Sequence, residues 1–174
     1  MSFRIAITGP ESSGKSDLAK ALAEHFDTVY APEFARVYLE KYGPDYSFED
    51  LDEICQGQIA EEEKALAAAK RICFFDTDML VLKIWSMYRF GRVSNFIEQS
   101  ALLRKYDHYL LCKPDLPWSP DPLRESPSAE EREVLFNLYK NELESQGVSY
   151  SLVKGIDKDR LNSAIEELEK LKLG

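Results

Sequence analysis

Residues 9–16 of this chain read Gly-Pro-Glu-Ser-Ser-Gly-Lys-Ser, the pattern G-x-x-x-x-G-K-S. An apolar, β-prone run, Phe3-Arg4-Ile5-Ala6-Ile7, precedes it. A helical stretch with Leu18, Leu22 and Phe26 at four-residue spacing follows. Strand, glycine loop, helix is the order that a phosphate cradle requires, and a chance glycine-rich turn would lack it. The glycines let the loop curl with its N–H groups pointing inward, and the helix behind adds the positive end of its dipole. In such a loop Gly9, Glu11, Ser12, Ser13 and Gly14 surround a triphosphate such as ATP. Lys15 bridges the β- and γ-phosphates, and the Ser16 hydroxyl binds Mg²⁺.

The remainder of the chain repeats the alternation that the motif begins. Strand-like runs fall at Phe3–Thr8, Thr28–Ala31, Ile72–Phe75, Tyr109–Cys112 and Ser149–Val153. Helical runs fall at Lys15–His25, Phe34–Lys41, Phe48–Lys70, Met79–Phe90, Asn95–Lys105, Ala129–Gln146 and Lys158–Lys172. Ser47-x-x-Asp50 and Ser128-x-x-Glu131 read as capping boxes, and Asp157 is placed to cap the last helix. Short strands alternating with helices predict an α/β chain with the P-loop NTPase fold: a parallel five-stranded sheet flanked by helices on both faces. With 174 residues and no linker, repeat or low-complexity tract, one domain over 1–174 is expected. In such sheets ligands sit at the carboxyl ends of the strands.

Composition narrows the partners. A net charge of −9 and a pI of about 4.8 argue against a nucleic-acid surface, which needs a basic footprint. Cys55, Cys73 and Cys112 are odd in number and have no metal-like spacing, which fits a reducing cytoplasm. The first strand leaves no room for a signal peptide, and no apolar run approaches membrane-spanning length. The expected partner is therefore a small molecule. His25 and His108 have no ligand spacing.

The strand ends carry the candidate chemistry. Glu33 and Arg36 follow the second strand, three residues apart and so on one helix face. Glu33 could take a proton from a substrate hydroxyl or bond sugar hydroxyls, and Arg36 could clamp phosphate; a plain ion pair would use the same spacing. The third strand runs into Asp76-Thr77-Asp78. An apolar strand ending in Asp suits a Walker-B carboxylate, with Asp76 on the metal and Asp78 toward the acceptor, unless either merely caps the next helix. Cys112-Lys113-Pro114-Asp115 only faintly matches a guanine-reading signature and reads as a turn. Residues 117–127 contain four prolines and Arg124. They predict a stiff excursion that could close as a mobile lid, within about 113–146, and bring Arg124 to the phosphates. Gly57 interrupts a good helical pattern at about 1 kcal/mol relative to alanine. A close approach or a helix break would explain it. The Leu80-Ile84-Tyr88 stripe beside Trp85 reads as core.

Taken in order, Gly9-Pro-Glu-Ser-Ser-Gly-Lys-Ser16, Glu33-x-x-Arg36, Asp76-Thr-Asp78 and Pro117-Trp-x-x-Asp-x-Leu-Arg124 resemble the ribosylnicotinamide kinase domain of NadR-type NAD-biosynthesis proteins. The resemblance covers nearly the whole chain. It implies ATP- and Mg²⁺-dependent phosphorylation of nicotinamide riboside to nicotinamide mononucleotide. Lys15, Glu33, Asp76 and Arg124 would be catalytic, and Ser16 with Asp76 would hold the metal. Glu33, Arg36, Asp78, Trp118 and Asp121 would meet the nucleoside. The His-x-Gly-His signature of the nucleotidyltransferase domain found in multifunctional members is absent, so a stand-alone kinase domain is expected.

Overall fold

Five strands form one parallel sheet in the order β2-β3-β1-β4-β5. They are β1 (Phe3–Thr8), β2 (Val29–Ala31), β3 (Ile72–Asp76), β4 (His108–Cys112) and β5 (Tyr150–Val153). The computed structural model describes residues 2–118, 121, 123 and 128–171. The first strand is central, pairing with β3 from Phe3↔Ile72 to Ile7↔Asp76 and with β4 from Ile5↔His108 to Thr8↔Leu111. Every residue of β3 and β4 is buried, because helices cover both faces.

The helices are α1 (Lys15–His25), α2 (Phe34–Tyr42), α3 (Asp50–Ala68), α4 (Met79–Phe90), α5 (Asn95–Leu103), α6 (Ala129–Gln146) and α7 (Asp157–Lys170). Side chains alternate across the strands, so the sheet feeds two cores. Ile5, Ile7, Phe74, Leu110 and Cys112 pack with Leu18 and Leu22 of α1 and Ala164 and Leu168 of α7. Ala6, Cys73, Phe75, Tyr109 and Leu111 pack with α3, α4 and α6, including Leu135, Phe136 and Tyr139. A third cluster joins α2, α3, α4 and α5 beyond the end of the sheet, around Leu39, Leu51, Ile54 and Leu82. Among the described residues no helix is long and apolar enough to cross a membrane. All three cysteines are buried and free.

Several local expectations change. The reciprocal bonds of Ser47 and Asp50 form, with Ser47 N–H donating to Asp50 Oδ2 at 2.6 Å, but the helix proper starts at Asp50 rather than Phe48. Ser128 Oγ accepts from the Glu131 N–H as expected. Asp157 does not cap the last helix: Ile156 holds the cap position, no side chain caps it, and Asp157 is its first residue with φ 49°. The α6 helix is packed into the core by Leu135, Phe136, Tyr139 and Leu143.

Candidate active site

The P-loop curls where β1 ends. Gly9 lies at φ 134°, and a Cβ there would stand 2.8 Å from the Cys112 carbonyl of β4, so only glycine permits this close approach of the two strands. Gly14, at φ 73°, precedes α1; there the left-handed backbone, more than the Leu116 side chain 2.7 Å from where a Cβ would stand, calls for glycine. Ser13 is fully buried, its hydroxyl donating to the Pro10 carbonyl at 2.7 Å. Lys15 Nζ reaches back over the loop to the carbonyls of Gly9 and Pro10, at 3.0 and 2.8 Å. Gly9, Glu11, Ser12, Ser13, Gly14, Lys15 and Ser16 all line one cavity of about 450 Å³.

Asp76 ends β3, 2% exposed, with the Ser16 hydroxyl and the Glu33 backbone N–H close enough to favour its charged form. Its Oδ1 has no hydrogen-bond partner. Burial pushes the carboxyl up to about 6, helped by the charge of Glu33 and opposed by Ser16 and Lys15. An orphaned carboxylate oxygen beside a hydroxyl suits a hard divalent cation whose other ligands are phosphate oxygens and water. Among the described residues no group of three or more His, Cys, Asp or Glu forms a complete metal cage.

Thr77 turns the chain in the left-handed region at φ 76°, a strained conformation for a β-branched residue costing on the order of 1–3 kcal/mol. The turn sends Asp78 the other way. Asp78 is fully buried, accepts from the Thr8 hydroxyl at 3.0 Å, and caps α4 through the Val81 N–H at 3.3 Å. Burial raises it to about 7. Neither Asp76 nor Asp78 is among the residues lining the cavity, and Asp78 Oδ2, like Asp76 Oδ1, has no hydrogen-bond partner. What separates the two is that Asp78 Oδ1 is engaged as the cap of α4, the other reading its position allowed.

Glu33 and Arg36 both line the cavity, but Arg36 pairs with Asp121 at 2.6 Å and with Glu40 at 3.8 Å. That hydrogen bond to Asp121 is the main reason its pKa is raised. Two residues expected separately at the acceptor are thus partners, joining α2 to the segment after β4. Trp118 does not border the cavity, and its buried Nε1 has no partner. Arg124 lies outside the described residues.

Three features go beyond a reading of the sequence, one of them by deciding between alternatives it left open. Gln58 of α3, 1% exposed, accepts from the Phe34 N–H at 2.8 Å and reaches the carbonyls of Pro32, Asp76 and Thr77 at 3.3–3.5 Å. It ties the Glu33 loop to the Asp76 loop. Its neighbour Gly57 leaves the helix unbroken; a Cβ there would stand 2.1 Å from the Phe34 ring, which resolves the glycine as a close approach. The third is an aromatic wall. Ile84, Trp85 and Tyr88 of α4 line the cavity with Tyr46, whose hydroxyl accepts from Trp85 Nε1–H at 2.7 Å; of the stripe read as core, only Leu80 is wholly so. Aromatic residues on the helix that follows β3 are the available signal, but helical periodicity is the same whether a stripe faces core or cavity.

A parallel sheet in this order, a glycine cradle ahead of α1 and a carboxylate at the end of β3 define a P-loop nucleotide-binding protein. Residues 4–160 match the family described as an AAA domain, and the chain belongs to that family. Over 98% of its length it is 30% identical to the trifunctional NAD biosynthesis/regulator protein NadR of Salmonella typhimurium, of which it spans 42%. Two solved structures of NadR match 97% of the chain: the complex with NR (TM-score 0.75, 18% identity, 51% of that chain) and the complex with NAD and AMP-PNP (TM-score 0.76, 17% identity, 49% of that chain).

Proposed function

We propose that this protein transfers the γ-phosphoryl group of ATP to the 5′-hydroxyl of nicotinamide riboside, giving nicotinamide mononucleotide and ADP in the cytoplasm. The observation that carries this reading is one cavity lined by two unlike sets of residues, the phosphate loop and an aromatic wall, with Glu33 and Arg36 on the same lining. A flat, cationic pyridinium ring suits a wall of Trp85 and Tyr46, since aromatic faces attract cations and stack on planar rings. The match along nearly the whole chain to a NAD-biosynthesis protein supports the same acceptor.

In this reading the P-loop amides hold the triphosphate, and Lys15 leaves its loop carbonyls for the β- and γ-phosphates. Ser16 and Asp76 would hold Mg²⁺, whose charge neutralises phosphate oxygens when bound. Glu33, which faces the cavity, orients the acceptor hydroxyl. The 5′ oxygen attacks the γ-phosphorus, the bond to the β,γ-bridging oxygen breaks, and Glu33 takes the hydroxyl proton late. Arg36 and Asp121 contact the ribose. Arg124 neutralises developing charge, an assignment that rests on sequence alone.

Measuring ADP release with and without nicotinamide riboside, together with product mass, tests the proposal. Riboside-dependent ADP and a product heavier by one phosphoryl group are expected. Acceptor-independent hydrolysis would instead make the protein a nucleotide switch, and no ADP in either case a binding module. A panel of other nucleosides separates a different acceptor from no acceptor.

A further inference from the structure

Arg160 lies in no motif, on the last helix, yet only 4% of it is exposed. Its Nη2 donates to the carbonyls of Ser13 (2.5 Å) and Lys113 (2.7 Å). Its Nη1 donates to Asp115 Oδ1 (2.7 Å) and to the Gly155 carbonyl (2.8 Å). The other Asp115 oxygen accepts from the Gly155 N–H at 2.8 Å. Three loops therefore converge on one guanidinium: the P-loop, the loop after β4 and the loop after β5.

The bond to Ser13 has a directional consequence. The peptide unit between Ser13 and Gly14 is planar and trans, so its C=O and N–H point to opposite sides. A guanidinium that holds the Ser13 carbonyl on the α7 side turns the Gly14 N–H the other way, into the cradle. The side of Gly14 where a Cβ would stand is already taken, by Leu116 at 2.7 Å and Arg160 Nε at 3.4 Å from that position. A planar fork serves these acceptors on two sides at once, which the single nitrogen of lysine cannot do.

We propose that Arg160 is a positioning residue for nucleotide binding: it orients the Ser13–Gly14 peptide so that the Gly14 N–H faces the phosphates, and it locks the P-loop to the loops after β4 and β5. The proposal rests on the nucleotide-binding reading of the P-loop and is independent of the acceptor.

Titration of the full chain with ATP and with ADP, without acceptor, tests it on Arg160→Lys, Arg160→Ala and Asp115→Asn. Thermal melts alongside give the folded fraction, and amide NMR follows Gly14. Both Arg160 variants should bind ATP and ADP at least tenfold more weakly, with lysine rescuing little. The Gly14 amide, shifted by ADP in the wild type, should shift much less in Arg160→Lys. Affinities within twofold of wild type in a folded Arg160→Lys overturn the proposal, as does a Gly14 amide that responds normally. If neither Arg160 variant folds, Asp115→Asn decides. It removes the charge that holds the guanidinium and should weaken ATP at least threefold, and unchanged affinity overturns the proposal. A wrong acceptor would leave this titration untouched.

Discussion

The P-loop part of the cavity lining is built on main chain, and the rest on side chains. At the P-loop, Gly9 and Gly14 shape the loop through positive φ angles, and seven of eight consecutive residues lie on the lining. Elsewhere on the lining, Tyr46 comes from the approach to α3, Trp85 and Tyr88 from α4, Arg36 from α2 and Asp121 from the segment after β4. A main-chain cradle reads what all phosphates share. A side-chain surface can be rebuilt residue by residue, and on the proposed function it is where one acceptor would be told from another.

Substitutions in the two parts should therefore fail differently. The largest effect is expected at Lys15, whose removal takes away the charge on the transferred phosphoryl group. Lys15→Ala should lower kcat on the order of 10²–10³-fold, about 3–4 kcal/mol of barrier, for every acceptor tried. Near-normal turnover would mean that the P-loop part is not where transfer occurs. Next comes Trp85→Ala. Loss of a stacking face is worth about 1–3 kcal/mol, so KM for the nucleoside should rise roughly ten- to a hundredfold while KM for ATP stays within twofold. Equal rises in both constants would erase the distinction between the two parts.

Asp76→Asn should raise the Mg²⁺ concentration for half-maximal rate about tenfold. In the wild type this demand should grow as pH falls through about 6, where Asp76 takes up its proton, and excess Mg²⁺ should push that limb lower. A pH-independent Mg²⁺ requirement in the wild type would remove Asp76 from the metal. The smallest effect is on stability. Asp78 has a folded pKa near 7 against 3.8 unfolded, so the folded state binds the extra proton between these values. Its contribution is then unfavourable above about 7 and vanishes below about 4. Asp78→Asn should raise Tm at pH 8, by about 2–4 °C per kcal/mol recovered. The gain should close by pH 4. A variant less stable than wild type at pH 8 would show that the cap needs the full carboxylate.

What could be read beforehand follows from how local each signal is. Strands buried on both faces give continuous apolar runs, and so Phe3–Thr8 and all seven helices are visible to within a few residues. The P-loop is visible because its glycines answer to backbone geometry within the motif. Asp76 and Asp78 are two apart, and no periodicity tells which one caps α4; the turn at Thr77, in the left-handed region, sets them apart. Gly57 answers to a ring 23 positions earlier, and Arg160 to a carbonyl 147 residues away. Trp85 sits on a stripe whose other side is core. Such relations exist only once the helices are laid down.

The central position of β1 also sets an order of events during synthesis. The strand that launches the phosphate loop pairs with β3 and β4, whose partners lie some 70 to 100 residues downstream. At about 5–20 residues per second, the glycine motif leaves the ribosome roughly 5–20 s before β4 can flank it. Arg160 arrives later still. The glycine loop, made before β3 and β4, is therefore among the last parts of this domain to acquire its shape, because closing those long loops must precede it. Nascent chains stalled before His108 should gain no nucleotide-dependent protection from proteolysis, whereas chains that expose α7 should. Until β3 emerges, Ile5 and Ile7, fully buried in the finished sheet, have no neighbouring strand on either side, and until β4 emerges one side stays open.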